Sequence, residues 1–250
     1  MNTFLIIITI IYGIIIGSFL NVCIYRIPKN ESIVTDRSHC MTCGHKLKWY
    51  DLVPLVSYLT LGGKCRYCKT KISKQYPVIE FTNGVLYGIL VVVNGFNIST
   101  ILFCLCSSAL LALSVIDWRT FEIPIAFNIF IGILGIIRLL TDLEHWYVYI
   151  IGFFAVSGFL YLLFLITKGR GIGGGDIKLM AAAGLLIGWK NIILALGIGC
   201  VLGSIIHIIL MKVQNKDRVL AFGPYLSLGI YIAMLYGNQI IEWYINTFIY

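Results

Sequence analysis

Residues 169–180 read Gly169-Arg170-Gly171-Ile172-Gly173-Gly174-Gly175-Asp176-Ile177-Lys178-Leu179-Met180. Three consecutive glycines run into an aspartate, and an apolar run follows at once. A carboxylate at the edge of a membrane-buried helix is costly, and its default reading is functional. Glycines just ahead of it let backbone and substrate approach closely, because no Cβ stands in the way. Gly169, Gly171 and Gly174 also fit G-x-G-x-x-G. That fingerprint needs a preceding strand and a βαβ context, whereas here an apolar run of about twenty residues comes first, so a dinucleotide site is excluded. The remaining alternative is a flexible turn between two helices. A second aspartate in a similar place, Asp117, favours the functional reading.

The chain has 250 residues, 59% hydrophobic and only 12% charged, with a mean hydropathy of +0.92. Soluble domains carry about 25% charged residues, so the composition is that of an all-α polytopic membrane protein. Apolar runs long enough to span, about 20 residues each, lie near 3–25, 77–94, 98–116, 123–140, 146–167, 191–211 and 221–241. The run 177–188 is shorter: either its helix begins before Asp176, or it crosses only partly. The first run lacks both a basic residue ahead of it and a small-residue cleavage site, so it does not read as a cleaved signal peptide.

Of the 19 Lys and Arg, all but Arg138 and Lys190 fall on one side if about eight helices cross the membrane with both termini outside. Trp189-Lys190-Asn191 is then an outer turn, and the basic side is cytoplasmic. The net charge of +8 is thus topology and contact with anionic lipid, and no nucleic-acid partner is expected. Gly13/Gly17, Gly84/Gly88, Gly184/Gly188 and Gly199/Gly203 are small-xxx-small pairs that read as helix packing.

Residues 26–76 form the sizeable polar segment. It holds Cys40-x-x-Cys43 and Cys65-x-x-Cys68, an interval slightly beyond the usual window of about 15–20 residues for a four-cysteine zinc site. A reducing cytoplasm disfavours disulfides, and zinc would supply the folding energy so small a piece lacks; free or redox thiols are the alternative. Cys23, Cys104, Cys106 and Cys200 read as small buried hydrophobes, and His39 and His45 as surface residues. Glu80, about one turn into the next helix, either pairs with a nearby lysine or faces a bound ligand. Glu122, Asp142, Glu144, Asp217 and Glu242 look peripheral. Asp117 and Asp176 remain, at similar depth on different helices. Two carboxylates sharing a low-dielectric cleft cannot both ionise easily, and a pair sharing a proton is what an aspartic protease needs.

At this point the chain closely resembles the bacterial type IV prepilin peptidases, which are membrane aspartyl proteases and N-methyltransferases. The resemblance rests on GSFLNVCIYRIP, RSHCMTCGHKLKWYDLVPLVSYL, GGKCRYCKTKISKQYPVIE, DWRTFEIP and GIGGGDIKLM, in that order along nearly the whole chain. It implies a multi-pass protein of the bacterial cytoplasmic membrane. Such a protein cuts a short basic leader from type IV prepilin or pseudopilin precursors after a glycine, and then methylates the new N-terminal residue from S-adenosylmethionine. Asp117 and Asp176 match the family's catalytic dyad, the latter in its GxGD signature. Cys40, Cys43, Cys65 and Cys68 match its cytoplasmic zinc cysteines, and the match at Gly63-Lys64 and Glu80 favours an active methylating half. Ile125 stands where the family's first-aspartate signature, D-x5-[IL]-P-D, closes with aspartate, and Met41 where its first CxxC begins Cys-Pro. The implied division is a first helix over 1–25, a zinc domain over 26–76 and a protease domain over 77–250. Two other readings explain less. A cation-coupled transporter with paired aspartates leaves the four cysteines unexplained, and a membrane scaffold leaves the paired carboxylates so.

Overall fold

The computed structural model describes residues 3–35, 37–169, 171–214 and 221–248, with 212–214 by backbone alone. Arg170, Lys216, Asp217 and Arg218, which enter the charge reading, lie outside the described residues. The helices are α1 (Thr3–Arg26), α2 (Val56–Thr60), α3 (Gln75–Asn94), α4 (Ile98–Thr120), α5 (Ile125–Thr141), α6 (Trp146–Ile166), α7 (Gly174–Ile187), α8 (Trp189–Gln214) and α9 (Gly223–Phe248). Beyond them, the described residues hold three short 3-10 turns, Ile27–Lys29, Trp49–Asp51 and Leu143–His145, and two isolated bridges, His39 with Lys46 and Lys64 with Lys71.

Each apolar run of the sequence lies on one of these helices, and the fold is all-α with multiple apolar helices. Five are long and apolar enough to cross a membrane, namely α1, α3, α4, α6 and α8. Three of the expected eight crossings are not among these: α5 is a shorter apolar helix, α7 has 14 residues, and α9, though 26 residues long, is not among the five. α7 does begin ahead of Asp176, yet at about 1.5 Å per residue it reaches roughly 21 Å against a bilayer core of about 30 Å. Glycine bounds it at both ends. Gly173 is extended at the N-cap, and Gly188 takes φ +81° at the C-cap, a conformation that side chains with a Cβ avoid.

The chain divides into two compact units, Met1–Ala112 and Leu113–Tyr250, with the division inside α4. In the first, α1 and α3 pack antiparallel on their glycines. A Cβ on Gly13 would lie 2.9 Å from Asn83 O and from Gly84 Cα, and one on Gly17 would lie 2.7 Å from Glu80 Cα. The Asn83 amide donates to Gly13 O at 2.7 Å and its oxygen accepts from Ser108 at 2.9 Å. Tyr87 closes the chain on Ser108 at 2.9 Å. Such satisfied polar groups join helices where unsatisfied ones would be expensive.

In the second unit α7 is the central element, with Leu179 through Ile187 continuously buried. It meets α6 where Gly152 and Gly184 face one another, so closely that a Cβ on either would fall inside the other's backbone. It runs parallel to α5: Gly132 stands beside Ala182, and a Cβ on Gly135 would lie 2.9 Å from Leu185 Cγ. α8 and α9 pair antiparallel through Gly199 against Leu226 and Gly203 against Phe222. Every one of the four small-xxx-small pairs therefore sits at a helix interface. The outward faces of α5 and α6 expose Ile133, Ile136, Leu140, Phe154, Leu162 and Leu165, as lipid contact requires.

Candidate active site and metal centre

Among the described residues the charged residues buried as a whole are Arg26, Glu80, Asp117 and Asp176. The two aspartates are those of the second unit. Asp117 stands on the last turn of α4, and Phe121 closes the turn after it by donating its N–H to Asp117 O at 2.8 Å. Asp176 is in the first turn of α7, where the exposed N–H groups and the helix dipole favour negative charge. Its Oδ2 lies 3.0 Å from where a Cβ on Gly173 would be, so glycine is what leaves the carboxylate room. Ile123 lies beside both: it meets Gly175, the neighbour of Asp176, and it meets Gly223, which abuts the Asp117 carboxylate.

Two further residues assemble this pair. The backbone N–H of Gly223, at the start of α9, donates to Asp117 Oδ2 at 2.9 Å across a buried contact. Ile123, in the link between α4 and α5, wedges against both sides. A Cβ on Gly175 would be 3.0 Å from Ile123 Cβ, and one on Gly223 would be 3.3 Å from Ile123 Cδ1. Glycine at 175 and 223 therefore allows the close approach that draws α7 and α9 onto the α4–α5 link. The sequence reading missed Gly223, treating 221–241 as an apolar run alone. The signal available was Gly223-Pro224 opening a helix, where proline is favoured in the first turn. Glu122 is exposed, as expected of a loop carboxylate. Asp142 is taken up locally by Tyr149 at 2.6 Å and His145 at 2.9 Å. Neither carboxylate competes with the pair.

In the first unit the four cysteines converge. The Sγ atoms of Cys40, Cys43, Cys65 and Cys68 all lie within 4.8 Å of one another, with Cys40 and Cys68 at 3.8 Å. Four thiolates about 2.3 Å from a central zinc are about 3.8 Å apart, so the donor set fits that ion. Each pair of cysteines is presented by the same loop. Gly44 donates to Cys40 O at 2.8 Å and Lys69 to Cys65 O at 3.0 Å, with φ +68° and +60°. The two hairpins are thus structural copies, one using glycine at the left-handed position and one using lysine. Met41 is exposed, which explains why losing the proline leaves the ligands in place. His45 stacks on Tyr67 with ring centroids 3.6 Å apart, and His39 meets Arg37 O; both are outside the donor cluster. Asp51, its side chain 3% exposed, braces the second hairpin through Arg66 at 2.7 Å.

Glu80 is buried, and its Oε2 accepts the Leu55 N–H at 2.8 Å. That partner is a backbone amide and not a lysine. Leu55 has φ +59°, a strained conformation for a side chain with a Cβ, and it caps the start of α2. Gly63 and Lys64 open the second hairpin. Gly63 takes φ +67° beneath the Tyr58 ring, 2.9 Å from where its Cβ would be, while Lys64 is exposed. α2 stands between these residues: Leu55 at its start binds Glu80, and Tyr58 within it covers Gly63.

Residues 11–94 match the Bacterial Peptidase A24 N-terminal domain, and residues 104–208 the Type IV leader peptidase family. A Bacillus subtilis protein named prepilin leader peptidase/N-methyltransferase is 34% identical, covering 94% of this chain and 96% of its own. One of the same name from Pseudomonas aeruginosa is 31% identical over 95% of this chain and 92% of its own. Another, from Aeromonas salmonicida, is 30% identical over 95% and 92%. No solved structure matches the chain.

Proposed function

This chain belongs to the type IV leader peptidase family, and we propose that it removes the leader of type IV prepilin or pseudopilin precursors and N-methylates the residue exposed. It is a protease and a methyltransferase, not the cation-coupled transporter that paired aspartates also suggest. Asp117 and Asp176 form the catalytic dyad. The observation that carries this is that they are the buried charged residues of one unit, brought to either side of Ile123 by Gly175 and Gly223. One carboxylate, ionised, takes a proton from the attacking water while its partner, protonated, donates to the scissile carbonyl; the first then passes the water's proton to the leaving amine, and the partner recovers its own from the tetrahedral intermediate as the carbonyl re-forms. Burial excludes competing solvent and strengthens both hydrogen bonds. The Gly223 N–H fixes one oxygen of Asp117, leaving the rest of that carboxyl for the reaction.

The four cysteines hold zinc, which folds residues 26–76 as the second of three parts, between a first helix over 1–25 and a protease domain over 77–250. S-adenosylmethionine is the methyl donor; bound, it supplies an electrophilic methyl on a sulfonium cation. A buried carboxylate such as Glu80 suits that positive charge, and Gly63 and Lys64 lie across α2 from it. The protein sits in the bacterial cytoplasmic membrane in contact with lipid, with the cysteine hairpins in the cytoplasm. The basic residues of 26–76 support that orientation.

Co-expression with a pilin precursor tests the reading. The product mass should drop by the leader and gain one methyl group. Asp117→Asn and Asp176→Asn should each leave the precursor whole while the enzyme accumulates normally. Cleavage surviving either change removes the dyad assignment.

A further inference from the structure

The polar segment 26–76 carries apolar side chains where a water-facing loop has no use for them. Along 49–59, Trp49, Leu52, Val53, Val56 and Leu59 are exposed, Trp49 to 80% and Leu59 to 75%. Val56 and Leu59 stand three apart on α2, and so on one face of it. Apolar residues scattered singly over a surface need no explanation, but a run of them marks a surface that meets something apolar.

The depth of this stretch is fixed by a contact in its middle. Leu55 donates its N–H to Glu80 at 2.8 Å, and Glu80 is the sixth residue of α3, a helix of 20 residues. At about 1.5 Å per residue α3 is roughly 30 Å long, about the thickness of the bilayer core, so its first turns reach the lipid boundary. Outward apolar side chains are already present at that level. Val78 and Phe81 of α3 are exposed, one on either side of Glu80 in the chain. On α1, Ile15 and Phe19 are exposed on either side of Gly17, which packs on Glu80. α2 has five residues, about 7.5 Å of helix, so its exposed face stays close to that boundary.

The charge of the segment agrees. Between 37 and 76 the Lys and Arg number eight and the acids one, Asp51, whose side chain is 3% exposed beside Arg66. No carboxylate of that stretch is therefore presented to repel anionic headgroups. Lys48 directly precedes Trp49, and a cation beside an indole suits the membrane–water interface.

We propose that residues 49–59 lie in the membrane surface as an interfacial segment, with Trp49, Leu52, Val56 and Leu59 at the headgroup–acyl boundary of an anionic leaflet. The Leu55–Glu80 hydrogen bond is then a clamp that holds the segment at the depth where α3 enters the bilayer. Tyr58 of α2 covers Gly63, so the second cysteine hairpin is tied to this seat. The proposal rests on the reading of α1 and α3 as membrane spans.

The test places p-benzoylphenylalanine at Leu59 of the full-length enzyme, reconstituted in vesicles of phosphatidylethanolamine and phosphatidylglycerol in equal parts and then irradiated. The same probe at Val85, exposed on α3, is the reference. Mass analysis should find phospholipid adducts at both positions, with the yield at 59 within about threefold of that at 85. Limited proteolysis matching wild type shows that the probe leaves 26–76 folded; otherwise it is moved to Val56 and its adducts are read in the same way. Lipid adducts at 85 with none at 59 overturn the proposal alone. So do adducts at 59 to a second copy of the chain, or to a co-reconstituted precursor, in place of lipid. Absence of lipid adducts at 85 as well removes the membrane-span reading of α3, and the proposal with it.

Discussion

Gly223 donates its backbone N–H to Asp117 Oδ2 at 2.9 Å, although 106 positions separate the two residues. A Cβ at Gly223 would lie 2.7 Å from that same oxygen, so any other residue must push the carboxylate or α9 aside. Displacing a reacting group by about 1 Å can cost about 100-fold in rate. Gly223→Ala is therefore expected to lower leader removal by about that factor, with helix content and accumulation close to wild type. A rate within twofold of wild type, measured on purified enzyme, would show that Asp117 does not depend on this contact.

Much of the site was legible because its chemistry is written in local pattern. Asp176 follows three glycines, Asp117 ends an apolar run, and the four cysteines come as two pairs. The small-xxx-small glycines likewise announced the α1–α3, α6–α7 and α8–α9 contacts, because a missing Cβ is a statement about approach. Gly223 was not legible: nothing local tells which of 25 glycines abuts an aspartate far away in sequence. Ile123 looked like one more apolar loop residue, yet it touches both Gly175 and Gly223. The number of crossings was less legible, because the run 177–188 is short in sequence and only the glycine caps of α7 show how far its helix reaches.

The cysteine cluster makes a separable prediction. Cys40→Ser and Cys68→Ser should each lose zinc, assayed by metal analysis of purified protein, because a small metal-folded segment has little else to hold it. His45→Ala should keep zinc, since that ring stacks on Tyr67 outside the cluster. Methylation should suffer more than cleavage, because both aspartates belong to the other compact unit. Stoichiometric zinc in a variant lacking all four cysteines would contradict the assignment.

Glu80 permits a finer dissection. Glu80→Gln keeps an oxygen for the Leu55 N–H but removes the charge, so the packing of α2 should survive while attraction for a sulfonium cation is lost. The expected product is pilin that is cut but unmethylated. Glu80→Leu also strands the Leu55 amide and should destabilise the first unit by about 1–3 kcal/mol. Fully methylated product from Glu80→Gln would assign Glu80 to holding Leu55 alone.

The position of the cut follows from where the dyad stands. Asp117 lies on the last turn of α4 and Asp176 in the first turn of α7, so both carboxylates sit at helix ends, with the bundle's apolar interior beyond them. A substrate entering as a helix must present its scissile bond at that level, just ahead of its own apolar run. The bond must also be unwound, since a helical peptide group is hydrogen-bonded to its own chain. A glycine before the cut supplies this, costing helix about 1 kcal/mol relative to alanine, and Gly173 to Gly175 leave space for a backbone to lie close. Moving the precursor's glycine four residues deeper carries it about 6 Å along the substrate helix, past the level of the dyad. Mass analysis should then show intact precursor, as it should when that glycine is replaced by a bulky residue. Wild-type cleavage of both altered precursors would mean the bond is cut away from the helix ends, and Asp117 and Asp176 could not be the residues that cut it.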